Sequence, residues 1–289
     1  CQLLKRNPKN VSRVEEIPFL PIEFFKKKKI ISSEKTPEII FTSSGTTGSA
    51  TSKHYVTDLN VYEESFLKAF EIFYGNPEDI VILALLPSYL ERQGSSLIYM
   101  ADSLIKRSKH SESGFYLNDL EALQHQLKEL DKSGKKILLL GVSFALLDLV
   151  ETYNFDLKNT TIMETGGMKG RRKEMIREEL HQILTEGFGV DKIHSEYGMT
   201  ELLSQSYSKG NGVFETPPWM KILIRDPEDA LVYLPKHKTG GINVIDLANF
   251  NSCSFIATQD LARQINDDST KIIGRFDNSD IRGCNLLIL

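Results

Sequence analysis

Between residues 79 and 197 the chain repeats one unit: a short apolar run, a longer stretch with helical spacing, then another apolar run. Residues 79–86 are apolar and close at Pro87, as a strand buried on both faces does. Residues 117–132 have the period of an amphipathic helix, 135–140 of a strand and 144–152 of a second helix. Residues 160–164 read as a strand ending in Gly166-Gly167, and 173–186 as a charged helix. Residues 192–197 read as a strand running into Gly198-Met199-Thr200-Glu201. Strands alternating with helices predict a layered, parallel-rich α/β core. Upstream, residues 59–74 place Leu59, Tyr62, Phe66, Leu67, Phe70 and Phe73 on one side of a helix.

The last third changes period. Residues 221–234, 241–246, 254–258 and 271–274 read as short strands with turns. They predict a mostly antiparallel, barrel-like part packed on the α/β core. The expected organisation is one domain over residues 1–289, with the core at 1–215 and the mostly β subdomain at 216–289.

Composition enters as a set of exclusions. With 40% hydrophobic residues the chain is not a disordered one. The longest apolar run, 137–150, is broken by Gly141, Ser143 and Asp148, and falls short of the roughly 18–20 residues that span a bilayer. A net charge of −4 gives no overall attraction to nucleic acid or anionic lipid. The three cysteines, Cys1, Cys253 and Cys284, have no metal-ligand spacing and form an odd set, so a reducing, cytoplasmic setting is expected. The first residue is Cys1 rather than Met, so further N-terminal sequence is expected to precede it. Lys26 to Lys29 form a run that reads either as a solvated face or as a basic patch for a partner.

The most informative segment lies between two strand-like runs, 39–42 and the stretch after Lys53. It contains Ser43, Ser44, Gly45, Thr46, Thr47 and Gly48, with Lys53 five residues further on. Glycines let successive backbone N–H groups turn inward, and such a concave run holds anions. The hydroxyls add donors and Lys53 adds a cation, so the segment fits a polyphosphate. It is neither a Walker A loop nor a GxGxxG turn. A Ser/Thr/Gly turn without function has the same composition.

In order, this loop resembles the phosphate loop of the adenylate-forming superfamily, although those enzymes carry Pro-Lys two residues after the last glycine. Three further segments follow in the superfamily's order. Tyr197-Gly198-Met199-Thr200-Glu201 is similar to its Y-G-x-T-E signature. The resemblance implies that Tyr197 lies against adenine, Thr200 contacts the α-phosphate and Glu201 holds Mg²⁺. Thr258-Gln259-Asp260 looks like its T-G-D motif, with Gln259 in place of glycine, which implies that Asp260 binds the ribose hydroxyls. Gly274-Arg275 resembles the start of its G-R-x-x-D hinge, with Arg275 reaching ribose or phosphate and either Asp277 or Asp280 as the hinge aspartate. Gly166-Gly167 matches the glycine pair beside the adenine; Lys169 and Arg171 follow it and face either phosphate or solvent.

Strings such as "PFLPIEFFK", "TGGMKG" and "IRGCNL" resemble the LuxE-type acyl-protein synthetases, the long-chain-fatty-acid–luciferin-component ligases, a branch without the usual mobile C-terminal domain. That resemblance implies ATP and Mg²⁺, a fatty or other carboxylic acid as substrate, and an acyl-adenylate. It further implies acyl transfer to Cys284 and on to a partner reductase or transferase. Thr200, Glu201 and Cys284 are then the catalytic set. Residues 87–100 and 144–149 are the expected acid pocket. A shortened acyl- or aryl-CoA ligase, or a non-catalytic nucleotide-binding relative, are the alternatives.

Overall fold

A computed structural model of the chain describes residues 6–7, 9–43, 51–86, 94–116, 119–166, 168, 172–173 and 175–275. A two-residue strand, β1 (Leu20–Pro21), leads into one helical turn, α1 (Phe24–Lys27). β2 (Ile39–Thr42) and β3 (Lys53–Val56) pair as an antiparallel hairpin with Thr42 opposite Lys53. There follow α2 (Leu59–Tyr74), β4 (Ile80–Leu85), α3 (Ser96–Arg107), β5 (Gly114–Phe115), α4 (Leu120–Asp131) and β6 (Lys136–Val142). The alternation continues with α5 (Ser143–Thr152), β7 (Thr160–Thr165), α6 (Arg177–Phe188) and β8 (His194–Tyr197). Six further strands follow among the described residues: β9 (Ser206–Ser208), β10 (Val213–Glu215), β11 (Met220–Arg225), β12 (Thr239–Asp246), β13 (Phe255–Gln264) and β14 (Ser269–Arg275).

One large sheet runs β11-β12-β13-β14-β10-β9-β8-β7-β6-β4-β5, with β1 added alongside β13. From β8 to β5 the neighbours are parallel. From β8 onward to β11 they are antiparallel. The mixed α/β class expected from the sequence is what forms. The antiparallel strands are continuous with the parallel ones, because β14 pairs with β10.

Burial explains the parallel half. All six residues of β4 and six of the seven in β6 are buried, so these strands need apolar side chains on both faces. Each fully buried Leu, Ile or Val side chain contributes about 1.5–3 kcal/mol relative to exposure. α2 covers the sheet with Tyr62, Phe66, Ala69, Phe70 and Phe73. A second apolar cluster, including Leu202, Phe214, Ile222, Val244 and Ile256, fills the antiparallel half.

Helix limits differ from the sequence reading where a cap decides them. α4 starts at Leu120 because the Asp119 carboxylate accepts from the Ala122 N–H at 2.8 Å. α6 begins at Arg177, after extended Ile176, and stops at Gly189, whose φ of 69° suits a residue without a Cβ. α3 was not anticipated; Ile98, Ala101 and Leu104, at helical spacing, are its buried face. In residues 144–149, expected at an acid pocket, the side chains of Phe144, Leu146, Leu147 and Leu149 are buried.

The N-terminal segment is held as a strap. Leu20 and Pro21 pair in parallel with Ile256 and Ala257, and the Ile22 N–H donates to the Ala257 carbonyl at 2.9 Å. Phe25 is buried and meets the His54 ring edge-on at 5.5 Å.

Candidate functional site

Tyr197 ends β8, where the parallel strands give way to antiparallel ones. Its hydroxyl donates to Asp260 Oδ2 at 2.7 Å. Asp260 faces inward because β13 alternates: Thr258 and Asp260 are buried and Gln259 between them is exposed. Register then supplies the third member. Arg275 on β14 is the cross-strand partner of Asp260, and its Nε donates to Asp260 Oδ1 at 3.2 Å. The Asp260 side chain is 9% exposed, whereas that of Arg275 is 80% exposed. A carboxylate offers about four acceptor positions, so two bonds leave room for further donors.

Glu201 is buried nearby. Burial pushes its carboxyl above the usual range, against a hydrogen bond from Ser52 and the positive fields of Arg275 and Lys26. Arg275 therefore bonds one motif carboxylate and acts on the other. Ser52 also closes the base of the glycine-rich loop: its N–H donates to Ser43 Oγ at 2.9 Å, and the Ser43 N–H donates to its carbonyl at 3.1 Å. Lys53, next in sequence, is exposed.

The backbone around Glu201 is fixed by residues that sequence reading missed. Buried His54 places Nδ1 2.9 Å from the Thr200 carbonyl and Nε2 2.9 Å from Ser252 Oγ. Burial lowers its pKa to about 4, so the neutral ring makes these contacts. The Asn249 amide donates to the Glu201 carbonyl at 2.7 Å. Asp246 accepts from the Leu203 and Ser204 N–H groups at 2.9 and 3.0 Å, from Ser204 Oγ at 2.6 Å and from the Ala248 N–H at 3.0 Å. Lone polar residues such as these carry no motif; only their burial marks them.

Two more carboxylates lie where β7 meets β8. Glu196 is buried and accepts from the Thr165 hydroxyl. Desolvation raises its pKa to about 7, with the Glu164 charge adding to the effect. A Cβ at Gly198 would overlap Glu196 Oε1, so a side chain there would force that carboxylate to shift. On the other face, desolvation works to raise the Glu164 carboxyl, but His181, Arg177 and Ser195 together bring it below its usual value. Gly166 follows β7 with a φ of 67°, and its carbonyl accepts from Ser143 Oγ at 2.8 Å.

Of the residues expected at the site, Tyr197, Asp260 and Arg275 are joined directly, Ser43 is held by Ser52, and Glu201 is buried. Gly198 and Thr200 lie between them in sequence, and Gly166 sits at the end of the neighbouring strand. Ser44, Gly45, Thr46, Thr47, Gly48, Gly167, Lys169, Arg171, Asp277, Asp280 and Cys284 lie outside the described residues, as does 87–93 of the expected acid pocket.

No family model and no curated protein matches the chain at a significant level. Solved structures do. ATP-bound MatB from Rhodopseudomonas palustris aligns with a TM-score of 0.60 and 17% identity, over 82% of this chain and 47% of that one. The ATP-bound RpMatB-BxBclM chimera B3 aligns with a TM-score of 0.62, at the same identity and coverage. O-succinylbenzoate coenzyme A synthetase (MenE) from Bacillus subtilis, in complex with ATP and magnesium ion, aligns with a TM-score of 0.56 and 18% identity, over 82% and 49%. This chain shares the fold of the aligned part of these structures. It spans about half the length of these structures. Among the described residues no helix is long and apolar enough to cross a membrane.

Proposed function

We propose that this adenylate-forming fold activates a carboxylic acid with ATP and passes the acyl group to a thiol. The observation that carries the reading is the meeting of Tyr197, Asp260 and Arg275, with Glu201 in the field of the same arginine. These residues come from three separate segments of the sequence. They supply an aromatic ring, an acceptor for vicinal hydroxyls, a donor for anionic oxygen and a hard ligand for a cation. The fold is shared with structures that hold ATP, and one of these is a coenzyme A synthetase.

In this reading Asp260 accepts from the ribose hydroxyls, using lone pairs left free by Tyr197 and Arg275. The Tyr197 ring packs against the base. Arg275 and the Thr200 hydroxyl face the α-phosphate and offset the charge that grows as a carboxylate oxygen bonds to phosphorus and pyrophosphate leaves. Among the described residues no group of three or more His, Cys, Asp or Glu encloses a metal. A cation here would therefore rely on Glu201, phosphate oxygens and water, which is coordination that magnesium accepts. Bound there, Mg²⁺ neutralises phosphate charge.

The acceptor in this proposal is Cys284. Its thiolate attacks the acyl carbonyl of the mixed anhydride, a thioester forms, and AMP leaves. The acid is a fatty or other carboxylic acid, the next acceptor a reductase or transferase, and the setting cytoplasmic. A second reading, with coenzyme A as acceptor, draws on the likeness to MenE.

Acid-dependent exchange of pyrophosphate into ATP tests the first step, and intact mass spectrometry with a fatty-acid panel tests the second. An acyl adduct lost in Cys284→Ala supports the protein thiol. Free acyl-CoA formed equally by that variant supports the second reading. No exchange with any acid in a broad panel refutes both.

A further inference from the structure

The N-terminal edge of the parallel sheet holds a cavity that the proposed site does not use. Ile80, Lys136 and Thr160 are the first residues of β4, β6 and β7. Register places Ile80 opposite Lys136 and Leu138 opposite Thr161. Side chains alternate along a strand, so Ile80, Lys136, Leu138 and Thr161 share one face. Tyr74, from the last turn of α2, and Asn159, just before β7, join them around a cavity of about 120 Å³. β6 rises about 3.3 Å per residue over its length, which puts this cavity roughly 20 Å from the sheet edge that carries Tyr197.

The walls and the rim differ in chemistry. Ile80 and Leu138 are buried and apolar, and Tyr74 adds an aromatic ring. That ring is held in place: the Tyr74 hydroxyl lies 3.2 Å from His194 Nδ1, and the Lys209 ammonium sits 5.9 Å from the ring centroid. The Asn159 amide nitrogen donates to the Asp131 carbonyl at 2.8 Å and is spent within the fold. The donors left to the cavity are the Lys136 ammonium and the Thr161 hydroxyl.

The geometry points to a second ligand site here, which takes a small carboxylate with an apolar body. The carboxylate meets Lys136 and Thr161, while the body packs on Ile80, Leu138 and the Tyr74 ring. A phosphate dianion suits it less: the lining residues include no arginine, and the N–H groups of their strands are occupied by sheet pairing. The site stands apart from the proposed acid-activating one and does not depend on that reading.

The test is methyl NMR of the full chain, following the Ile80 and Leu138 signals as ligand is added. Hexanoate and benzoate are expected to shift both signals. Acetate, which lacks the body, should bind at least about tenfold more weakly, and inorganic phosphate should shift neither signal. Lys136 is exposed, so its replacement spares the core. Lys136→Gln should weaken hexanoate about tenfold and Thr161→Val about threefold, as the loss of a charge-assisted and of a neutral hydrogen bond does. Asp260→Asn, at the other edge of the sheet, should leave the shifts unchanged. Equal affinity in wild type and Lys136→Gln reduces the cavity to an apolar hollow and overturns the inference. Phosphate or acetate binding as well as hexanoate overturns the ligand class. Shifts lost in Asp260→Asn trace the acid to the nucleotide site and overturn the second site. Signals unmoved by every acid show a cavity filled by water alone and overturn it outright.

Discussion

The Tyr197 hydroxyl and the Asp260 carboxylate are 2.7 Å apart, although 63 residues separate them in sequence. This bond joins the last parallel strand to the antiparallel hairpin that carries Arg275. Tyr197→Phe leaves Asp260 with Arg275 alone. It should lower unfolding stability by about 1.5–3 kcal/mol, the range for a hydrogen bond to a charged group, measured by urea denaturation. Asp260→Asn should weaken Mg-ATP about tenfold or more in titration calorimetry, because a ribose acceptor is lost. Unchanged nucleotide affinity in that variant would remove Asp260 from the site.

Glu201→Gln separates function from stability. Its carboxyl is held above the usual range chiefly by burial, so a neutral isostere relieves that cost. The melting temperature should hold or rise, while pyrophosphate exchange falls about a hundredfold or more. A variant that melts early and exchanges normally would make Glu201 structural.

Glu196 gives a pH dependence with a definite sign. Its folded pKa of about 7 lies above the ordinary 4.5, so between those values the folded state holds the extra proton. Its contribution to stability is full below about pH 4.5 and is lost as pH rises through about 7, on the order of 3 kcal/mol in all. His54 and His194, with pKa values lowered to about 4 by burial, work in the opposite direction, losing stability as pH falls from 6.5. The bulk profile therefore mixes the two. The difference between Glu196→Gln and wild type isolates the first and should grow in the variant's favour from pH 5 to pH 8 in chemical denaturation. A constant difference across that range would assign Glu196 an ordinary pKa.

Asp246→Ala should be the most disruptive single change. It strands three backbone N–H groups and the Ser204 hydroxyl in the interior. A loss of about 3 kcal/mol or more follows from those unmet donors, measured by the shift in denaturant midpoint. Gly198→Ala should cost about 1–3 kcal/mol by forcing a methyl group against the Glu196 carboxylate. Retention of wild-type stability in either would show that the local backbone relaxes more than its packing implies.

Much of this was legible beforehand, for particular reasons. α2 was read to the residue because six large side chains mark one face. Residues 197 and 260 were recognised through neighbours in sequence; the strand read at 192–197 holds the first, whereas the strand read at 254–258 stopped short of Asp260, which lies within β13. The joining of the two sheet halves was not legible: the register of β14 on β10 depends on pairing across more than fifty residues, which local pattern does not encode. Nor were Asp246, His54 and Glu196. Each is an ordinary polar residue in sequence, and only tertiary burial makes it decisive.

The strap has one more consequence. Glu23 and Gln259 touch across 236 positions, so the two far parts of the chain are stitched together beside the site. Such contacts form late, after long loops have closed. Amide hydrogens of β1 and β13 should therefore exchange together as one cooperative unit. A molecule bound between Tyr197 and Arg275 would slow exchange in the N-terminal strap that it never touches.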